Sequence, residues 1–222
     1  MFMVERLDNF EKAIFAGEGQ YDIPLLLPET ADGLPTEWIP FNYAASSTAR
    51  RDKGVHFFLD DYQFFRCWRD PERYTKLLSG FGCVLAPDFS TYVDMPMAAQ
   101  IYSHYRKHWL GAYWQMHGIR VIPTISWSTP ESYEWCFTGE PVGGVVAVSS
   151  VGCLRDKEAT RRFLQGYDEM ARRLDPSWVV FYGLVPRECD WNVIRIPPHQ
   201  DKIAERRKRK WAAEEAAADS EK

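Results

Sequence analysis

Apolar residues are laid out differently in the two parts of the chain. In the first part, Val4, Leu7, Phe10 and Ile14 recur at helical spacing and predict a helix over 3–15. Two short apolar runs follow, "IPLLLP" and "EWIPFN", bounded by prolines and too short for helices. They read as strands or extended segments. A regular alternation then begins. "GVHFFLDDY" is a strand ending in paired aspartates, and "YQFFRCWRDPERYTKLLSGFG" is a helix broken at Asp70-Pro71 that closes on glycine. "CVLAPDF" is the second strand of this series, followed by a long helix over 96–117. "IRVIPTISW" is the third, with a short helix over 131–137, and "GVVAVSSVGC" the fourth, with a helix over 157–174. "SWVVFYGLV" is the fifth, and "NVIRIP" adds one more.

The strands are continuous apolar runs, such as Val145, Val146, Ala147 and Val148, which suits parallel strands covered on both faces. Their starts lie roughly 25 to 37 residues apart, the length a βαβ crossover needs. With the early runs and the late one, seven or eight strands are available. The pattern therefore predicts an α/β fold, a small (β/α)-barrel-like arrangement with mostly parallel strands. An open, doubly wound sheet is the competitor. One domain is expected over 1–198. From 199 to 222 the chain becomes basic and then rich in alanine and glutamate, a charged helical or disordered tail.

Composition changes this picture in three places. A net charge of -4 means that the protein as a whole is not drawn to nucleic acid. Five scattered cysteines, with no C-x-x-C pair, argue against a disulfide framework or a zinc ribbon and for reduced thiols in a cytoplasm. The first residues lack the pattern of a secretory leader, and no apolar run approaches the roughly 18 residues of a membrane span.

Ligands of parallel α/β folds sit beyond the carboxyl ends of the strands. The polar residues predicted there are Asp60 and Asp61, Asp88 and Ser90, Ser126 to Ser128, Ser149, Ser150 and Cys153, and Glu188. Some have a structural explanation. Asp94 stands where it would cap the long helix, and Asp61 where it would cap a helix over 62–68. Ser128 with Glu131 fits a capping box. What remains is Asp60, Asp88 and Glu188 as candidate catalytic carboxylates, with Tyr62, Ser90, Trp127, Ser149 and Ser150 lining a pocket. Grouped carboxylates divide acid and base work or hold Mg²⁺ or Mn²⁺, here through Asp60 and Asp88. The expected substrate is a nucleotide or other phosphoester.

Further features carry expectations of their own. His104 and His108 stand at i, i+4, but Tyr105 occupies the place a zincin gives to glutamate. They read as boundary histidines flanking an apolar stripe from Met97 through Tyr105 to Met116. Cys153 after its glycine reads as a small hydrophobe rather than a nucleophile. Arg206, Arg207, Lys208, Arg209 and Lys210, beside Trp211, would grip a nucleic-acid backbone in an alternative, non-catalytic role. A third reading is an interaction protein that binds a host factor through exposed aromatics, drawn from its nine tryptophans.

With "FFLDDYQFFRCWRDPERY", "LAPDFSTYVDMPMAAQIY", "RKHWLGAYWQMHGIRVIPTISW" and "VVAVSSVGC" set side by side, the chain resembles a domain-of-unknown-function family (4417). That family is widespread in bacteriophages, prophages and integrative elements. The resemblance covers residues 38–188 and implies a bacterial cytoplasm and a mobile-element setting. It supplies no catalytic residue.

Overall fold

The computed structural model describes residues 8–189 and 192–198, and from residue 53 onward the strands and helices follow in the predicted order. A small antiparallel pair comes first, β1 (Gly17–Glu18) with β2 (Ile23–Pro24). β3 (Glu37–Pro40) and β4 (Lys53–His56) follow, then α1 (Asp61–Arg69), α2 (Pro71–Leu78) and β5 (Cys83–Leu85). α3 (Met97–Met116) leads to β6 (Val121–Ile122), and a 3-10 turn (Pro130–Glu134) leads to β7 (Val145–Ser149). α4 (Lys157–Leu174), β8 (Trp178–Tyr182) and β9 (Val193–Ile196) complete the series.

β3, β4, β5 and β6 form one sheet in that order, and β7, β8 and β9 a second; every pairing within the two is parallel. A parallel bridge between Thr124 and Ala147 joins the end of β6 to β7. Strand residues alternate between two environments, as the pleat requires. Val55, Val84 and Val121 pack beneath α1, α2 and α3, together with Trp109 and Trp114. Val146, Val148, Val179 and Phe181 pack beneath α4. The other face, with Trp38, Cys83, Leu85, Ile122, Val145, Ala147, Val180, Tyr182 and Ile196, gathers into one cluster drawn from both sheets. Across it, the His56 and Tyr182 rings lie 4.9 Å apart, and Phe58 stacks on Tyr182 at 4.8 Å.

Local signals explain most element ends. Asp70 caps α2 by accepting from the Arg73 N–H, with Pro71 in the first turn where its missing donor costs nothing. Asp156 caps α4 through the Ala159 N–H, and Asp175 ends it at a left-handed φ of 42°. Three expectations need correction. Residues 1–7 of the predicted first helix lie outside the described residues. Residues 8–12 are turns, with Asp8 and Asn9 at φ of 51° and 68°. Tertiary contacts override the helical spacing there: the Asn9 amide donates to the Trp68 carbonyl, and Phe15 packs edge-on to Trp109 at 5.8 Å. Asp94 is exposed and does not cap α3; Pro96 occupies that position with no side-chain cap. Ser128 does not form a capping box with Glu131, because its hydroxyl donates to Gln100 Oε1 at 2.6 Å.

Gly166 is the place in α4 where a glycine has a packing reason. A Cβ there would run into the Trp127 indole, which also packs on Phe163 at 5.4 Å. Glycine to alanine inside a helix normally gains about 1 kcal/mol. Here the overpacking of about 1–3 kcal/mol outweighs that gain. Gly166→Ala is therefore expected to lower the urea midpoint, whereas the same change at a helical glycine facing open space would raise it.

Candidate functional site

Of the paired aspartates after β4, Asp60 rather than Asp61 stands at the helix start. Asp60 occupies the N-cap position of α1, exposed, its carboxylate accepting from Gln63 Nε2 at 3.3 Å. Asp61, in the first turn, reaches across to the end of β5. It accepts from the Ser90 N–H at 3.2 Å and from the Ser90 hydroxyl at 2.8 Å. This contact ties the chain after β4 to the chain after β5, and the helix N-terminus favours the carboxylate.

Asp88 lies in the same turn, two residues before Ser90. Burial pushes its carboxyl up to about 7; the Lys107 ammonium pulls it down and the Asp61 charge pushes it further up. The residue keeps some accessible surface, yet its electrostatic neighbours are those of a closed-in group. On the β7 side, burial and the Asp88 charge push the Cys153 thiol up to about 11. Asp88 thus interacts electrostatically with groups from beyond β4, from α3 and from beyond β7. Cys153 is a protonated, half-buried thiol, in keeping with a packing role.

The other predicted residues are placed as follows. Ser149 ends β7 with its hydroxyl accepting from the Val151 N–H at 3.2 Å. Ser150 is buried and donates to the Leu184 carbonyl at 2.7 Å, tying β7 to the chain after β8. Trp127 packs under α4, Tyr62 is 79% exposed on α1, and Glu188 is exposed. Arg206, Arg207, Lys208, Arg209 and Lys210 lie outside the described residues. The described cysteines are all free thiols.

The polar network on α3 is not foreseen by the sequence pattern as such. His104 and His108 are 2% and 0% exposed, so they are core residues, while Met97 and Met116, the ends of the expected apolar stripe, are 38% and 56% exposed. Gln100, Ser103, His104, Lys107 and His108 share the buried face ahead of Gly111 and Trp114. Lys107 Nζ donates to the Thr124 carbonyl at 2.6 Å and to Glu140 Oε1 at 2.7 Å. His108 Nε2 faces the same Oε1 at 2.9 Å, and its Nδ1 donates to the Pro24 carbonyl at 2.7 Å. Burial pushes the Glu140 carboxyl up, but His108 and Lys107 outweigh it and hold the group below its usual range. Burial and the neighbouring cationic groups hold His104 neutral. The polar i, i+3, i+4, i+7 spacing is the signal in the sequence; its meaning depends on Glu140, which lies 33 residues from Lys107.

These features define a mixed α/β protein built on parallel strands, with an acidic cluster where the chain leaves β4 and β5. The chain belongs to the family described as Domain of unknown function (DUF4417), whose model matches residues 15–199. It is 38% identical to the Gene 1 protein of Mycobacterium phage L5 over 208 residues, 89% of this chain and 85% of that protein. It is 36% identical to the Gene 1 protein of Mycobacterium phage D29 over 211 residues, 90% of this chain and 76% of that protein. No solved structure matches it. Among the described residues, no helix is long and apolar enough to cross a membrane.

Proposed function

We propose that this phage-family protein is an enzyme whose strand-end pocket uses Asp88 for proton transfer on a nucleotide or other phosphoester. The observation that carries this reading is the Asp88 carboxyl itself, pushed up to about 7 by burial and by Asp61 at the carboxyl ends of parallel strands. A group poised there exchanges a proton near neutral pH, and two carboxylates in different environments divide acid and base work. Asp61 takes the role that the sequence pattern gives to Asp60, and Ser90 orients it. Asp88 with Asp61 also offers the oxygen ligands that Mg²⁺ or Mn²⁺ prefer.

A phosphoester is favoured by the arginines nearby. Arg106 lies over Phe89 at 4.3 Å and Tyr102 at 4.8 Å and bears electrostatically on Asp61, while Arg155 and Arg162 bear on Cys153. Planar guanidinium groups match phosphate oxygens in pairs.

This reading includes a barrel-like path for β3 to β9. In a flat sheet β4 and β8 would stand about 19 Å apart, four strand spacings of about 4.8 Å. The 4.9 Å approach of His56 to Tyr182 supports a curled sheet instead. So does the single inward cluster with the helices gathered on the opposite face. A doubly wound sheet would carry helices on both faces and reverse its strand order.

The test is a panel of nucleoside phosphates and simple phosphoesters, with and without Mn²⁺, scored by thermal shift and by product release. Turnover is expected with an inflection near pH 7 and is expected to fall by roughly 100-fold or more in Asp88→Asn. Asp60→Asn should leave it unchanged. Full activity in Asp88→Asn, or no binding and no turnover across the panel, overturns the proposal.

A further inference from the structure

In the buried network between α3 and the chain before β7, we infer that His104, His108 and Glu140 form a binding site for a single first-row transition-metal dication of the Zn²⁺ type. Each residue offers one ligand atom, and these atoms lie within 4.8 Å of one another, all three residues being buried. Among the described residues this is the group of three histidine, cysteine or acidic side chains placed to share an ion.

Three observations point to a cation. First, each ring turns one nitrogen to a backbone carbonyl, as metal-ligating histidines do, which leaves the other nitrogen as the ligand atom. His108 Nδ1 donates to the Pro24 carbonyl at 2.7 Å, and His104 Nε2 to the Thr138 carbonyl at 3.0 Å. Second, Glu140 Oε2 is fully buried and has no hydrogen-bond partner. A buried carboxylate oxygen left without a partner is costly, and a dication in contact with it removes that cost. Third, in the neutral His108 ring, Nε2 and Glu140 Oε1 would set two lone pairs 2.9 Å apart, an approach that a proton or a metal ion must bridge. Two imidazoles and one carboxylate select Zn²⁺, Co²⁺ or Ni²⁺ over Mg²⁺ and Ca²⁺, which prefer oxygen alone.

Lys107 sets the strength of the site. Its ammonium already holds Glu140 Oε1 at 2.7 Å, so the ion takes Oε2 and feels a buried positive charge beside it. That repulsion weakens binding without removing a ligand. Replacing Lys107 by the similarly shaped, neutral methionine therefore tightens it.

The experiment uses the full chain without a histidine tag, stripped with chelator and titrated with Co²⁺ followed by its visible spectrum, then with Zn²⁺ in competition. One equivalent is expected to bind with the spectrum of nitrogen and oxygen ligation. His104→Gln should weaken binding by about tenfold or more while keeping the wild-type circular dichroism, and Lys107→Met should tighten it by about tenfold. Because Glu140 and Lys107 variants lose stability, His104→Gln decides the matter, and Lys107→Met is titrated at a temperature where its circular dichroism matches the wild type. Failure to bind Co²⁺ or Zn²⁺, undiminished binding in His104→Gln, or unchanged binding in Lys107→Met overturns the assignment.

Discussion

Lys107→Ala is expected to destabilise the protein by about 3–5 kcal/mol, read as a lower urea midpoint in buffer containing chelator. Lys107 is 2% exposed and its ammonium is shared between Glu140 and the Thr124 carbonyl. Removing it leaves the Glu140 carboxylate buried with His108 as its remaining charge partner, and leaves the Thr124 carbonyl without that donor. The larger part of the loss is the uncompensated charge rather than the bond itself. Two controls separate these contributions. Lys107→Met keeps the packing of the stem and should lose somewhat less than alanine. Lys107→Met combined with Glu140→Gln should recover a substantial part, since a buried pair removed together costs far less than the loss of one partner. No recovery in the double variant would mean that Lys107 acts through Asp88 or Thr124 and not through Glu140.

This network also marks where reading the chain stops short. Elements with strong local punctuation were legible: α4 spans Lys157–Leu174 as expected, and the break between α1 and α2 falls at Asp70-Pro71. That the strands of the two larger sheets run parallel followed from their spacing and apolar runs. That no helix starts close behind Asp88 was legible as well, since α3 begins only at Met97. Which of Asp60 and Asp61 stands at the N-cap position was not. Adjacent aspartates before a helix have the same local credentials, and what separates them is the Ser90 hydroxyl, 29 residues away. His104 and His108 failed for a related reason. A helix buried on one face shows a stripe of apolar residues, but α3 is enclosed widely enough that part of its inward surface is polar. Its partners, Pro24, Thr124, Thr138 and Glu140, come from three separate segments that no helical spacing reveals.

Asp88→Asn is expected to stabilise the folded protein above pH 7 even as it removes the proposed activity. The Asp88 carboxyl is raised from 3.8 to about 7 on folding. Between those two pH values the native state holds a proton that the unfolded chain has released, so stability falls as pH rises through that window. Below about pH 4 the group is protonated in both states and contributes nothing to the slope. Above about pH 7 it is charged in both, and the whole cost of holding a carboxylate beside Asp61 in a partly closed turn is present. Each tenfold difference in proton affinity between the two states corresponds to about 1.4 kcal/mol, and solvent screening at a residue with some exposure reduces the total. A gain on the order of 2 kcal/mol at about pH 8 is therefore expected for the neutral, nearly isosteric asparagine. The two proteins should converge in urea midpoint at about pH 4. Lys107 moderates the cost, so the same substitution made in Lys107→Met should gain more. A carboxylate held at a cost to the fold is what the proposed proton-transfer role requires of Asp88. If Asp88→Asn is instead less stable than wild type at about pH 8, the Asp88 carboxylate is held mainly by Lys107 as a structural ion pair, and the case for proton transfer at this turn is lost.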